Sequence, residues 1–503
     1  MEVCYSLRLL LSRYRADKIM EFLLLEFIPE HGVVVILVSV IHILGAAAAL
    51  HAVMRSRTPQ GAVEWSISLI TFPYVALPAY GIFGRNRFQG YVLAHKSELA
   101  EITSLLDATR DRVIKSAKSL GMSDASILGA ENLARIPGTG GNVVELLIDG
   151  EATFNSIFEG IESAQHYILV QFYIIRDDNL GSALKTRLIK RADEGVRVLV
   201  LYDEIGSFGL SSSWVDDLRA AGISVRAFHS RKGPSNRFQV NFRNHRKIMV
   251  VDGVTSWVGG HNVGDEYLGN DPDIGPWRDT HIRIKGPATI PLQLSFVEDW
   301  HWATDTLPGE LNWQPAHPAE GDTGILIIPS GPADPLETSH LMFLLAINMA
   351  KKRLCIASPY FVPDQGIISA LQLAALRGVD VRIMIPDNPD HRTIAFATYA
   401  IFDEVHRAGV EFYRYTKGFL HQKVMLIDNV FASVGTANFD NRSFRLNFEI
   451  TALVLNPIFV AQVESMLERD FARCRKMPGD EFQLKPLWFR LAASVSRLLS
   501  PVL

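Results

Sequence analysis

The sequence predicts an α/β protein whose body is a pseudo-two-fold pair of duplicated α/β subdomains, preceded by two transmembrane helices. Three observations support this fold class. Two uncharged apolar runs lie near the N-terminus, buried-strand patterns alternate with helical patterns through the rest of the chain, and one histidine motif occurs twice with the same spacing.

Composition and charge restrict the possible classes of protein. The 503 residues suffice for two or three domains, and with 48% hydrophobic and 21% charged residues most of the chain can bury a core. The net charge of −4 argues against a nucleic-acid partner, because dedicated nucleic-acid binders usually carry a strongly basic domain. The three cysteines, Cys4, Cys355 and Cys474, lie far apart without CxxC spacing, which indicates free thiols.

The N-terminal region is expected to anchor the chain in a membrane. Residues 32–54 contain no charge and are long enough to cross a bilayer, and residues 65–83 form a second uncharged run that contains Pro73 and Pro78. More basic residues lie on the outer flanks of the two runs than in the loop that connects them, so the positive-inside rule predicts that both chain termini face the cytoplasm. A cleaved signal peptide and a buried helical hairpin are the alternatives. The long leader and the second run disfavour the signal peptide.

The rest of the chain has the pattern of a duplication. Buried strands are predicted around Tyr167–Asp177 and Leu354–Asp364, and each is followed by an apolar-periodic helix and a strand that starts with Gly-Val. The predicted segments are a leader or amphipathic segment 1–31, transmembrane helices 32–54 and 65–83, a helical linker 84–141, subdomains 142–320 and 321–484, and a C-terminal amphipathic segment 485–503.

A repeated motif gives the strongest evidence for two copies. In each copy a histidine is followed by a lysine at offset 2, an aspartate at offset 7, a glycine at offset 14 and an asparagine at offset 17. The two sets are His245, Lys247, Asp252, Gly259, Asn262 and His421, Lys423, Asp428, Gly435, Asn438. Such agreement between distant segments indicates duplication of a functional unit.

The motif suits phosphate chemistry better than metal binding. Alternation along a strand places each histidine and its lysine on one face, where the lysine would repel a cation such as zinc. Two lysines and two asparagines can hold the non-bridging oxygens of a phosphodiester, while one histidine attacks phosphorus and the other protonates the leaving oxygen. Small residues in the returning strands let backbone amides approach the ligand, and Gly260 and Thr436 are the candidates.

These motifs resemble those of the phospholipase D superfamily, and within it the bacterial cardiolipin synthases. The resemblance covers roughly residues 142–471 and rests on HRKIMVVDG, HQKVMLIDN, GGHNVGDEY, SPYFVPD and GTANFDNRSFRLNFE. It implies transfer of a phosphatidyl group between two phosphatidylglycerol molecules, with membrane lipid as the partner and glycerol as the second product. No metal and no organic cofactor are expected.

The resemblance also implies roles for the individual residues. His245 is expected to be the nucleophile and His421 the general acid and base, although the two motifs are symmetric on this point. Asp279 and Glu449, on the strands after the motifs, are expected to orient the histidines. Asp252 and Asp428 are interpreted as turn-forming supports whose loss would misplace the histidine and lysine.

Three other functions remain open from the residues alone. A phospholipase D hydrolase would use the same site with water as acceptor, a nuclease belongs to the same superfamily, and a catalytically inactive scaffold would keep only the fold. The first copy carries a basic insertion at residues 229–238. The run from Arg231 to Lys247, which contains six basic residues including Arg243 and no acid, is either a solvated loop or an anion-binding entrance. The segment 485–503 either packs on the body or lies on the membrane surface. The sequence does not indicate the oligomeric state.

Overall fold

The computed structural model describes residues 27–56, 59–84, 99–116, 120, 125–229 and 241–502. The chain divides into two compact units, residues 1–86 and 87–503. Most of the leader and nearly all of the basic insertion lie outside the described residues, so the expectations for them stay predictions.

The N-terminal unit contains one helix long and apolar enough to cross a membrane among the described residues. The helix Phe27–Arg55 includes the apolar stretch Gly32–Arg55, most of whose side chains are exposed within the unit. Two shorter helices, Pro59–Thr71 and Pro73–Phe83, follow it. The helical run predicted over residues 65–83 is divided at Phe72, just before Pro73 at the start of the next helix. A second membrane span stays a prediction.

The three helices pack through small residues. Ala49, Ala52 and Ala76 are buried with Leu69 and Tyr80. A Cβ atom added at Gly45 would lie 2.5 Å from the carbonyl oxygen of Leu69, so the close approach of two helices depends on this glycine.

The larger unit contains strands and helices in alternation. The strands of the first half are β1 (Thr139–Ile148), β2 (Tyr167–Phe172), β3 (Arg197–Asp203), β4 (Ser224–Phe228), β5 (Arg243–Asn244), β6 (Ile248–Val251), β7 (Thr255–Gly259), β8 (Trp277–Arg278) and β9 (Thr280–Lys285). Those of the second half are β10 (Thr323–Ser330), β11 (Arg353–Ala357), β12 (Phe361–Val362), β13 (Asp380–Pro386), β14 (Glu411–Tyr415), β15 (Phe419–Leu420), β16 (Val424–Ile427), β17 (Phe431–Gly435), β18 (Phe439–Asp440), β19 (Asn447–Leu455) and β20 (Cys474–Lys476).

The helices of this unit connect and cover the strands. They are Leu99–Ser116, Ala125–Ala134, Asp149–Ser163, Asn179–Asp193, Ser212–Ala220, Thr289–Thr304, Thr338–Met349, Gln365–Leu376, Arg392–His406, Asn441–Arg445, Pro457–Phe471 and Leu487–Leu498, with short 3₁₀ turns at Asp265–Leu268 and Ser500–Val502. The predicted boundary between residues 320 and 321 lies just before β10.

One mixed sheet runs through both halves. Its strand order is β20-β14-β13-β11-β16-β17-β19-β10-β1-β9-β7-β6-β2-β3-β4, so the second half repeats the first in mirror order around the central pair. That central pair, β1 and β10, is antiparallel, with Thr139 opposite Ile325. The strands β2, β3 and β4 are parallel, as are β11, β13 and β14, and the hairpin strands of each half are antiparallel. The edge strand β20 of the second half is antiparallel to β14. The duplicated α/β architecture predicted from the sequence is confirmed.

The hydrophobic core is shared between the halves. One large cluster contains Leu169 and Phe296 from the first half together with Leu426 and Val463 from the second. Separate clusters under the outer helices serve each half alone. Burial of this common layer is the main force that joins the halves.

Two short parallel pairings cross between the halves beside the motif histidines. β5, just before His245, pairs with the beginning of β19, and Arg243 lies opposite Asn447. β15, just before His421, pairs with β8, and Phe419 lies opposite Trp277. Each pairing therefore brings a histidine of one half next to a strand of the other half.

Candidate active site

The two motif hairpins are held by their aspartates. Asp252 and Asp428 occupy the turns after β6 and β16 with φ angles of 54° and 48°, a region that aspartate tolerates better than most residues. Each carboxylate accepts three backbone N–H hydrogen bonds of 2.7–2.9 Å, from Gln165, His166 and Tyr167 for Asp252 and from Lys351, Lys352 and Arg353 for Asp428. Each aspartate thus ties its hairpin to the beginning of β2 or β11.

Each motif histidine is oriented by a carboxylate of the opposite half. His245 Nδ1 lies 2.9 Å from Glu449 Oε2, and His421 Nδ1 lies 2.7 Å from Asp279 Oδ2. Because a carboxylate only accepts hydrogen bonds, the proton of each neutral imidazole resides on Nδ1. Nε2 is then the bare nitrogen of each ring.

Burial and neighbouring charge set the protonation of these groups. Burial lowers the pKa of His245 to about 4, against the opposing effect of Glu449. Burial also lowers the pKa of His421 well below its usual value, and the charges of Lys423 and Lys247 add to this effect. Burial tends to raise the Glu449 pKa, but His245 and Lys247 together bring it below its usual value. Both imidazoles are therefore neutral near pH 7 before an anion binds.

The motif lysines lie behind their histidines. Lys247 and Lys423 are buried, and each ammonium group donates to the backbone carbonyl of the histidine two residues earlier, over 2.7 Å for Lys247. Burial lowers the pKa of Lys247 to about 7 and that of Lys423 to about 8. A bound phosphate anion would favour the charged form of both.

The other predicted phosphate ligands divide into two groups. Asn262 and Asn438 line the cavity that contains both histidines. Thr436 does not line that cavity and instead donates a 2.6 Å hydrogen bond to Glu449 Oε2. Gly260 also lies behind the histidines, where an added Cβ would meet Asp279 Oδ1 at 2.0 Å. Gly260 and Thr436 thus both contact the orienting carboxylates, and their binding of phosphate stays a prediction.

The cavity has a volume of about 880 Å³ and is lined by residues of both halves. Aromatic side chains surround His421, since the rings of Trp277 and Phe419 lie 4.9 and 6.0 Å from it. Tyr173 lies 4.9 Å from His245, and Arg243 and Arg442 also line the cavity.

Sequence reasoning named Arg243 only as part of a basic run and assigned no role to the other residues of this ring. Trp277, Phe419, Arg243 and Arg442 have no equivalent residue type at the matching position of the other copy, so the repeat carried no signal for them. The pairing of β5 with β19 is also not readable from local pattern.

One group of ligand-type side chains lies elsewhere in the described structure. Glu337, His340 and Asp364 could place three ligand atoms within 4.8 Å of one another. Arg445 already pairs with both carboxylates of this group, at 3.0 Å from Glu337. We therefore interpret these side chains as a structural ion-pair network.

Comparison with known proteins agrees with this geometry. The sequence model of the family described as "Cardiolipin synthase, PLD-like domain" matches residues 157–275 and 343–471, one segment in each half. The phosphatidylserine synthase of Haemophilus influenzae Rd KW20 shares the fold, with a TM-score of 0.58 at 14% identity over 76% of this chain and 100% of that one. These matches define the class: a duplicated phospholipase D-like protein.

Curated relatives narrow the class further. The chain is 48% identical over 472 residues to cardiolipin synthase A of Pseudomonas entomophila strain L48, covering 93% of this chain and 98% of the relative. It is 48% identical over 468 residues to cardiolipin synthase A of Pseudomonas putida strain W619, covering 92% and 97%. The chain belongs to the cardiolipin synthase family. Its family and its apolar N-terminal helix together indicate membrane association.

Proposed function

We propose that this enzyme is a phosphatidyltransferase that joins two phosphatidylglycerol molecules into cardiolipin and releases glycerol. The observation that carries the proposal is the placement of two carboxylate-oriented histidines on one cavity, inside a member of the cardiolipin synthase family. The cavity is large enough for lipid headgroups, and the proposed reaction does not use water as a reactant.

The proposed first step is a displacement at phosphorus. Nε2 of His245 attacks the donor phosphodiester, the bond from phosphorus to the glycerol oxygen breaks, and His421 gives its proton to that oxygen. The products of this step are a phosphatidyl-histidine and free glycerol. Lys247 and Lys423, with Asn262 and Asn438, stabilise the charge on the non-bridging oxygens.

The second step reverses the proton transfer. His421 takes the proton from a hydroxyl of the second phosphatidylglycerol, whose oxygen attacks phosphorus while the bond to His245 breaks. His421 must be charged in the first step although burial disfavours its cation. The anionic phosphodiester and Asp279 both favour that cation, so substrate binding promotes protonation.

The test uses the purified full-length chain in detergent micelles with phosphatidylglycerol as the sole lipid. We expect equal amounts of glycerol and a four-chain lipid, and loss of both products in His245→Ala and His421→Ala. Phosphatidic acid as the main product would favour the hydrolase, and cleaved DNA the nuclease. Wild-type turnover in both alanine variants would refute the mechanism. Identifying the histidine that carries a trapped phosphatidyl group would establish the nucleophile.

We also propose that the chain lies in a bacterial inner membrane as a multi-pass protein with its catalytic body in the cytoplasm. The helix Phe27–Arg55 and the following apolar pair support this arrangement, as do the basic residues on the outer flanks. Reporter fusions to both chain ends test it. A periplasmic signal from either end would contradict it.

A further inference from the structure

The walls of the cavity break the symmetry of the twin motif. Equivalent positions lie two residues before each histidine and four residues after each asparagine. In the first pair the residues are Arg243 and Phe419, and in the second they are Glu266 and Arg442. Glu266 is paired with Arg176 at 3.2 Å. Arg243 and Arg442 are the other two arginines of a wall that also carries Asp273, Asp390 and Asp440.

Arg243 and Arg442 form a local concentration of positive charge near Tyr173. Arg243 hydrogen-bonds with Tyr173, and that ring in turn contacts His245. Arg442 donates to the backbone carbonyl of Asn241 over 2.7 Å. Burial lowers the pKa of Arg442, and the charge of Arg243 lowers it further. Two guanidinium groups held close together at a cavity wall are stabilised by a bound anion.

Asn447 adds a second polar function to the same wall. It is opposite Arg243 in the pairing of β5 with β19, is 95% buried and lines the cavity. Its Nδ2 donates to Glu449 over 3.1 Å, which fixes the amide orientation. Its Oδ1 has no hydrogen-bond partner among the described residues. A buried acceptor without a donor is costly, so this atom is suited to a ligand hydroxyl.

The reaction has a use for such a site. The twin motif serves the reacting phosphate, but the acceptor lipid carries a phosphate of its own, three carbons from the attacking hydroxyl. Arg243 lies two residues before His245 and both side chains line the cavity, so this wall adjoins the place where the reacting phosphate binds.

We infer that Arg243, Arg442 and Asn447 form the acceptor site, in which the arginines bind the phosphodiester of the incoming lipid and Asn447 Oδ1 accepts a hydrogen bond from its glycerol. This inference rests on the proposed function. It makes an anionic glycerophospholipid the favoured acceptor over water and over neutral alcohols.

The test compares two acceptors that compete for one phosphatidyl-enzyme. The full-length chain receives phosphatidylglycerol together with an excess of ethanol, and cardiolipin and phosphatidylethanol are measured in the same reaction. In Arg442→Gln we expect the ratio of cardiolipin to phosphatidylethanol to fall about tenfold or more, because a charge-assisted contact to the acceptor is lost. Arg442→Lys should recover part of the ratio.

The control is Arg176→Gln, which removes a cavity arginine whose charge Glu266 already balances; its ratio should stay within about twofold of wild type. The ratio does not depend on how much enzyme folds, and Arg243→Gln replaces Arg442→Gln if that variant yields no folded protein. An unchanged ratio in the arginine variants would overturn the inference. A wild-type enzyme that forms phosphatidylethanol but no cardiolipin would refute the proposed function instead.

Discussion

Glu449 and Asp279 each determine which nitrogen of a motif histidine carries the proton. Both oxygens of Glu449 accept hydrogen bonds, from His245, Thr436 and Asn447. Because the carboxylate only accepts hydrogen bonds, it requires a hydrogen on Nδ1 of the imidazole. A residue of the second half, Glu449, therefore determines the tautomer of His245 in the first half.

Replacement of these carboxylates by amides tests that role. In Glu449→Gln and Asp279→Asn the new amide can donate to Nδ1, which moves the imidazole proton to Nε2 and blocks attack or proton transfer. We expect kcat to fall by roughly 10²- to 10⁴-fold in either variant with little change in folded content. Turnover kinetics and circular dichroism measure both quantities. A loss below threefold would show that neither carboxylate sets the tautomer.

Two further buried histidines, His261 and His281, lie in the first half only. Their rings are 5.6 Å apart, and the second copy has Ala437 and Thr451 at these positions. Burial lowers the pKa of each to about 3. Because the folded pKa lies below the unfolded value of ~6.5, the unfolded state binds protons first as the pH falls. The contribution of these two histidines to stability is therefore complete above about pH 6.5 and declines between about pH 6.5 and 3.

This linkage predicts the behaviour of a variant that copies the second half. In His261→Ala/His281→Thr we expect the free energy of unfolding to depend less steeply on pH, with the slope reduced by roughly one to two protons. Denaturant unfolding of the full chain in detergent at pH 4.5, 5.5 and 7 measures the slope. The absolute stability at pH 7 also falls because side-chain volume is lost, so an unchanged slope is the contradicting result.

At the scale of elements, the C-terminal helix Leu487–Leu498 has two different faces. Phe489 packs against Phe396 and Tyr399 with ring centroids 4.9 and 5.0 Å apart, and Arg497 pairs with Glu404. The other face exposes an apolar ridge consisting of Leu487, Trp488, Leu491, Val495 and Leu498, and the exposed Leu484 lies just before the helix. The two expectations from the sequence, packing and membrane contact, are thus compatible on one helix.

We predict that Leu487→Gln/Leu491→Gln lowers activity on lipid vesicles several-fold more than activity in detergent micelles, because the ridge no longer enters the lipid surface. The matched control is Leu373→Gln/Leu376→Gln, whose side chains are 52% and 72% exposed on another helix. The ratio of vesicle to micelle activity is the measurement. Equal losses on both substrates would reject membrane contact by this ridge.

Elements also mark where sequence reasoning succeeded. The offsets around His245 and His421 predicted the two hairpins, because strand alternation and Asp turns are local properties. The sequence indicated Asp279 and Glu449 as orienting carboxylates, but not that each contacts the histidine of the other half, because that depends on how β1 meets β10 across about 180 residues of chain. The break at Phe72 was not predicted although Pro73 is visible in the sequence, because the apolar run continues across it.

For the molecule as a whole, neither half contains a complete catalytic unit. Each motif histidine lies in one half and the carboxylate that contacts it lies in the other, and one large hydrophobic cluster contains side chains of both halves. Separation of the halves would expose the strands β1 and β10 as well as this shared core. The two copies therefore depend on each other for stability and for chemistry.

This dependence predicts the outcome of splitting the chain. We expect fragments 1–320 and 321–503, expressed separately, to show no transferase activity, and their co-expression to restore a measurable fraction of it. Product formation from phosphatidylglycerol in membrane extracts is the measurement, with His245→Ala in the first fragment as the inactive control. Activity in either fragment alone would contradict the crossed placement of Glu449 and Asp279.

The crossed carboxylates also restrict how the gene can change over time. Loss of the carboxylate in one copy disables the histidine of the other copy, so each histidine and its carboxylate must be retained together. Residues of the cavity wall, such as Arg243 and Phe419, do not orient a histidine of the other copy in this way. New lipid preferences can therefore arise by divergence of the cavity wall while the reaction stays the same.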